Sequence, residues 1–205
     1  SIALFGTGTT MTLNGAIAGG SDATLHLDAF AGQPTNHGTL IVTNSNTYSG
    51  GTSVIQGTFR LSGTAATAGL GDVFVDGVSD RGDGILGSGK LDIEAGVLDG
   101  IADTALVTLT GGSFGGTAIL GAGVDELIGG LVLGGVAQTN AGTYGSTASG
   151  ADFPFDAYFT GNGVLRIAGQ PGDHNEDGLV NAADYVAWRK LPDQFGDPDG
   201  YDEFY

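Results

Sequence analysis

The chain has no cysteine, only six lysines and arginines among its 205 residues, and no run of 18 apolar residues. Each absence removes a class of answer. Without cysteine there are no disulfides, so stability has to come from packing and from bound ions. Six basic residues against 23 acidic ones leave a formal charge of -17. That field repels a phosphate backbone and an anionic membrane surface alike, which argues against nucleic acid as a partner. The missing apolar run leaves no candidate for a transmembrane helix. The first residues, Ser1-Ile2-Ala3-Leu4-Phe5-Gly6, lack the methionine and basic flank of a secretory signal and read as a mature or excised segment.

What is abundant is glycine, 40 residues without a collagen-like every-third repeat. Thr, Val, Ile and Leu accompany it through residues 1–169, while helix-favouring Lys, Glu and Arg are scarce. Short apolar alternations predict strands at Met11–Leu13, Leu25–Leu27, Leu40–Val42, Phe59–Leu61, Val73–Val75, Leu91–Ile93, Val107–Leu109, Leu131–Leu133 and Val164–Ile167. Most of them follow one another at roughly 14 to 21 residues, a spacing close to the coil of a parallel β-helix. A right-handed parallel β-helix over 1–169 therefore ranks ahead of a sandwich or jelly roll. Gly-Gly pairs at 50–51, 111–112, 115–116, 129–130 and 134–135 are expected to supply positive φ at the coil corners.

Residues 170–205 differ in kind. From Pro171 onward nine acids face only Arg189 and Lys190. Within this stretch Asp173-His174-Asn175-Glu176-Asp177-Gly178-Leu179-Val180-Asn181-Ala182-Ala183-Asp184 places oxygen side chains at positions 1, 3, 5, 9 and 12 of an EF-hand-type loop. A hard cation that takes about six to eight oxygens fits that set. The expected calcium ligands are Asp173, Asn175, Asp177, the Leu179 carbonyl, Asn181 (directly or through water) and Asp184, with Gly178 at the sharp turn. Asn181 followed by Asp184 also signals a helix start ahead of Ala182–Leu191. Farther on, Asp197-Pro198-Asp199-Gly200-Tyr201-Asp202 offers too few spaced ligands for a second loop, so one site is expected.

Two resemblances follow from these residues. Gly172–Lys190, through Asp173, Asn175, Asp177, Gly178, Asn181, Asp184 and Arg189-Lys190, resembles the first half of a type I dockerin of the kind found at the C-termini of secreted planctomycete-like proteins. Asn46-Thr47-Tyr48-Ser49-Gly50-Gly51-Thr52-Ser53-Val54-Ile55-Gln56-Gly57-Thr58-Phe59-Arg60-Leu61 resembles the autotransporter-associated β-strand repeat. Leu127–Leu133, Gly142–Thr147 and Tyr158–Leu165 look like closing coils of the same class. The resemblances imply a secreted, extracellular solenoid at a cell surface or in a matrix, closed by a small α-helical, dockerin-like calcium module.

Catalytic chemistry finds little footing. Asp92 and Glu94 alternate on one strand and share a face, as a glycosidase pair would, but they serve equally to keep an outer face wet. A polysaccharide lyase needs a base, and residues 1–169 offer only Arg60, Arg81, Lys90 and Arg166. His26, His37 and His174 form no metal pattern. Arg81-Gly82-Asp83 is an adhesion-type tripeptide common by chance. Phe153, Phe155, Tyr158 and Phe159 either plug the last coil or form a partner patch. The expectation is a non-catalytic extracellular structural or adhesive protein. A carbohydrate-active β-helix, or a scaffold-docked polysaccharide-binding module, is the alternative. The apolar Ile2–Phe5 segment points to a homo-oligomer assembled head-to-tail, a filament if it does not close.

Overall fold

A computed structural model describes residues 8–27, 38–78, 87–112, 115–169 and 182–190, the last stretch without the side chains of Asp184 and Trp188. Contacts divide the chain into two units, Ser1–Ala168 and Gly169–Tyr205.

The first unit is mainly β and largely parallel. One sheet sets Thr10–Leu13, Thr39–Val42, Gly57–Leu61, Gly87–Ile93, Thr117–Leu120 and Phe159–Gly161 side by side, all parallel. The short Gly77–Val78 strand adds to Gly87–Ile93 in antiparallel fashion. A second sheet runs through Leu25–Leu27, Thr52–Val54, Val73–Val75, Leu106–Leu109 and Gly130–Leu133 in parallel, then closes with antiparallel Val136–Gln138. Up to Leu133 the chain visits these sheets in alternation, apart from Gly77–Val78 and Asp125–Ile128. The latter strand belongs to a third, mixed sheet with Val164–Ile167, Gly142–Gly145 and Phe153–Pro154.

Strands of three or four residues cannot hold an apolar face by themselves, and stacking supplies what each lacks. Register aligns Met11, Leu40, Phe59, Leu91, Ala118 and Phe159 in one inward column of the first sheet. In the second sheet Leu27, Val54, Val75, Leu109 and Leu133 make another. Leu40, Phe59, Leu91, Val54 and Val75 are completely buried, because each has an apolar neighbour above and below.

All nine strands expected from the sequence are present, and others lie between them. The spacing of roughly 14 to 21 residues that pointed to whole coils is largely the step from one sheet to the other. Return to the same place one layer on takes 21 residues from Asn46 to Thr67, 29 from Ile17 to Asn46, and 34 from Asp76 to Thr110. The glycine pairs also divide their labour. Gly51 has φ of 96°, but Gly50 is needed for close approach, since an added Cβ there would lie 2.6 Å from the Ser21 carbonyl oxygen.

The aromatic cluster near residue 155 packs inward. Tyr144 and Phe159 are buried, Phe153 and Phe155 stack on Tyr144 with ring centroids 4.8 and 6.3 Å away, and Tyr158 meets Phe155 edge-on at 6.4 Å. Of the two readings of this cluster, packing against the core describes its place.

In the second unit one helix, Ala182–Lys190, is described. It falls within the expected Ala182–Leu191, of which Leu191 lies outside the described residues. Tyr185 and Val186 are exposed on it, and the Arg189 guanidinium lies 5.8 Å over the Tyr185 ring.

Candidate functional site

Of the expected calcium ligands, Asp173, Asn175, Asp177, Leu179 and Asn181 lie outside the described residues. Asp184 falls in the first turn of the Ala182–Lys190 helix. An EF-hand loop ends in this way, with position 12 already on the exiting helix. His37, His174 and Arg81-Gly82-Asp83 also lie outside the described residues, while His26 sits mid-strand in Leu25–Leu27.

Asp92 and Glu94 of the first unit lie among the described residues. Asp92 stands in register with Arg60 on the neighbouring strand, and Arg60 Nε and Nη2 both reach Asp92 Oδ2 at 2.8 Å. Glu94, just past the strand end, receives Arg60 Nη1 at 3.4 Å and the Ser62 hydroxyl at 2.5 Å. The two acids do share a face, as alternation requires, and each is paired with Arg60 of the next layer. Arg166 is likewise paired, with Asp125.

One buried acid escapes a reading of the sequence. Glu126 lies between the buried Val124 and Ile128 on the inward phase of its strand and is only 2% exposed. Its carboxylate accepts the N–H groups of Gly100 at 3.0 Å and Ile101 at 2.6 Å, joining two successive layers. Burial pushes its pKa up, and Asp99 and Asp103 push the same way, while the two backbone bonds pull it down. The available signal is the alternation itself: an acid at a position where the pattern calls for an apolar residue.

The Asn46–Thr52 motif proves to be a clamp between layers. Asn46 Oδ1 accepts the Ile17 N–H at 2.8 Å, Nδ2 donates to the Thr67 carbonyl at 2.6 Å, and the Asn46 N–H donates to Thr67 Oγ1 at 2.8 Å. One buried amide thus satisfies the backbone of the layers on both sides. Tyr48, two residues on, is fully buried and its hydroxyl lies 2.6 Å from Thr52 Oγ1, which donates to the Ala68 carbonyl at 2.7 Å. Gly69 leaves room for the Tyr48 ring, since an added Cβ there would come within 2.7 Å of it.

Burial raises the Tyr48 pKa from 10.0 to about 12. The folded state holds this proton more tightly than the unfolded chain does, so its contribution to stability is complete below pH 10 and disappears as pH rises towards 12. In a spectrophotometric titration Tyr48 is expected to ionise only together with alkaline unfolding. A Tyr48→Phe protein that unfolds at the same alkaline midpoint as wild type would contradict this.

Among the described residues no group of three or more His, Cys, Asp or Glu is arranged to hold a metal, and no helix is long and apolar enough to cross a membrane, which says nothing of a β-barrel. Comparison with known proteins finds no matching family model, no matching curated protein and no matching solved structure.

Proposed function

We propose that this chain is a non-catalytic extracellular structural protein, a right-handed parallel β-helix that works by self-association or adhesion at a cell surface or in a matrix. Its C-terminal segment is a dockerin-like module ordered by calcium on Asp173, Asn175, Asp177, the Leu179 carbonyl, Asn181 and Asp184. The observation that carries the reading is the use made of reactive side chains in the first unit. Asp92, Glu94, Glu126 and Tyr48 are each bonded to protein groups from a neighbouring layer or from the next turn of chain. Polar chemistry there serves cohesion. The alternation of the chain between two parallel sheets, with continuous inward columns, supports the solenoid. The right hand follows from the strong preference of parallel crossover connections. The test is a screen of purified protein on a panel of polysaccharides alongside negative-stain imaging with and without EGTA. Elongated particles that release no sugar are expected, and turnover of any glycan would overturn the reading.

For calcium, isothermal titration should show binding at or below millimolar concentration, because carboxylates this closely spaced repel one another without a cation. Asp177→Ala should abolish the heat, and His174→Ala, at a loop position pointing away from the ion, should leave it unchanged. Wild-type protein silent in millimolar calcium would remove the site.

A further inference from the structure

The two ends of the first unit are unlike. Among the described residues Thr10–Leu13, at one end, pairs on a single side, with Thr39–Val42. The Thr39 N–H donates to the Thr9 carbonyl at 2.7 Å and the Thr43 N–H to the Leu13 carbonyl at 3.2 Å. In a parallel ladder this phase turns the main-chain groups of residues 9, 11 and 13 towards the neighbouring strand. Thr10 and Thr12 therefore aim their N–H and C=O groups at the open side. The inward column is one layer short there too: Met11 is 38% exposed, whereas Leu40, directly beneath it, is fully buried.

At the opposite end the last strand of the first sheet is covered. The Gly161 carbonyl, on the last strand of the first sheet, accepts the Ser146 hydroxyl at 2.6 Å. The Asn162 amide donates to the Ala148 carbonyl at 3.1 Å. On the same strand the Phe159 N–H donates to the Phe155 carbonyl at 3.0 Å. A head-to-tail contact would therefore bring an open edge against a blunted one.

Charge also singles out the open end. In a chain of net charge -17, no charged side chain precedes Asp22. Two copies repel each other least where these neutral residues meet.

We infer that the Thr10–Leu13 edge is a self-pairing surface, occupied by the same strand of a second copy in a two-fold, antiparallel dimer. With the axis at Met11, Thr10 of each subunit exchanges its two main-chain bonds with Thr12 of the partner subunit, and the two Met11 residues face each other as a non-hydrogen-bonded pair. Each Met11 then supplies the apolar neighbour that the other column lacks. The contact is isologous, so it closes at two subunits and does not grow into a filament. It deepens the proposed function by naming the surface through which self-association occurs.

The experiment uses the full chain. Sedimentation velocity should show a concentration-dependent monomer–dimer equilibrium with no larger species, and hydrogen exchange at Thr10 and Thr12 should slow as the dimer fills. Thr12→Pro removes an open-side N–H and no bond within the subunit, in a conformation proline tolerates on an edge strand. It should weaken the dimer about tenfold or more. Should that variant misfold by circular dichroism, Met11→Cys decides. Facing residues of a non-hydrogen-bonded antiparallel pair lie about 4.5 Å apart at Cα, within disulfide reach. As the chain has no other cysteine, mild oxidation should give a covalent dimer in high yield. A strictly monomeric protein, slow exchange at Thr10 and Thr12 in the monomer, open-ended oligomers, or a Met11→Cys protein that does not cross-link would each overturn the inference. None of these outcomes touches the glycan screen or the calcium titration, on which the broader reading stands.

Discussion

Phe59→Ala should lower the free energy of unfolding by about 3–5 kcal/mol, while Thr58→Ala, one residue away, should stay within about 0.5 kcal/mol of wild type. Phe59 is fully buried in its column between Leu40 and Leu91, which are fully buried themselves, so its removal opens a cavity in a closely packed core. Thr58 points the other way, in line with Thr39 and Lys90. Urea denaturation of both variants measures the contrast. Similar losses at the two positions would mean that the strand does not present alternate residues to a core, and the column arrangement would have to be abandoned.

Asn46→Ala should cost about 2–4 kcal/mol, through a different mechanism. Little apolar area is removed. What is lost is the pair of bonds to the Ile17 N–H and the Thr67 carbonyl, both part-buried and left without this partner. Asn46→Asp makes the sharper test, because it keeps shape and volume. A carboxylate can still accept the Ile17 N–H, but its second oxygen would face the Thr67 carbonyl oxygen at the place where Nδ2 now sits, 2.6 Å away. Asn46→Asp is therefore expected to be at least as damaging as Asn46→Ala at neutral pH and to recover as acid protonates the new carboxyl. If both variants melt like wild type, the amide is not a clamp.

Strands such as Phe59–Leu61 and Leu91–Ile93 are legible in the sequence because inward residues there are uniformly apolar and outward ones are not. Thr52–Val54 and Thr117–Leu120 are not, because Thr52 and Ala118 occupy inward positions where a reader of hydrophobicity expects Leu or Val. Thr52 can be buried only because its hydroxyl has Tyr48 and Ala68 as partners, and those partners come together only after folding. Missing these strands is what made a step between sheets look like a full circuit. The pairing of Asp92 and Glu94 on one face follows from period-two alternation alone, but their shared partner Arg60, 32 residues before Asp92, depends on the length of the intervening loop. Glu126 was hidden for a related reason: an acid beside Asp125 reads as solvated surface, and only the three-dimensional return of the chain at Gly100 and Ile101 explains its burial. The calcium loop stands on ligand spacing, with the helix from Ala182 as the neighbouring structural fact.

The unequal circuits carry a practical consequence. Successive layers stay in register although one takes 21 residues and another 34, so the difference is taken up where the chain turns between sheets. Lengthening a flexible turn costs little, on the order of 0.6 kcal/mol for each doubling. Foreign peptides spliced into successive turns would then be held at a fixed pitch of about 4.8 Å per layer, which makes the molecule a rack for displaying epitopes or mineral-binding sequences in a chosen one-dimensional order.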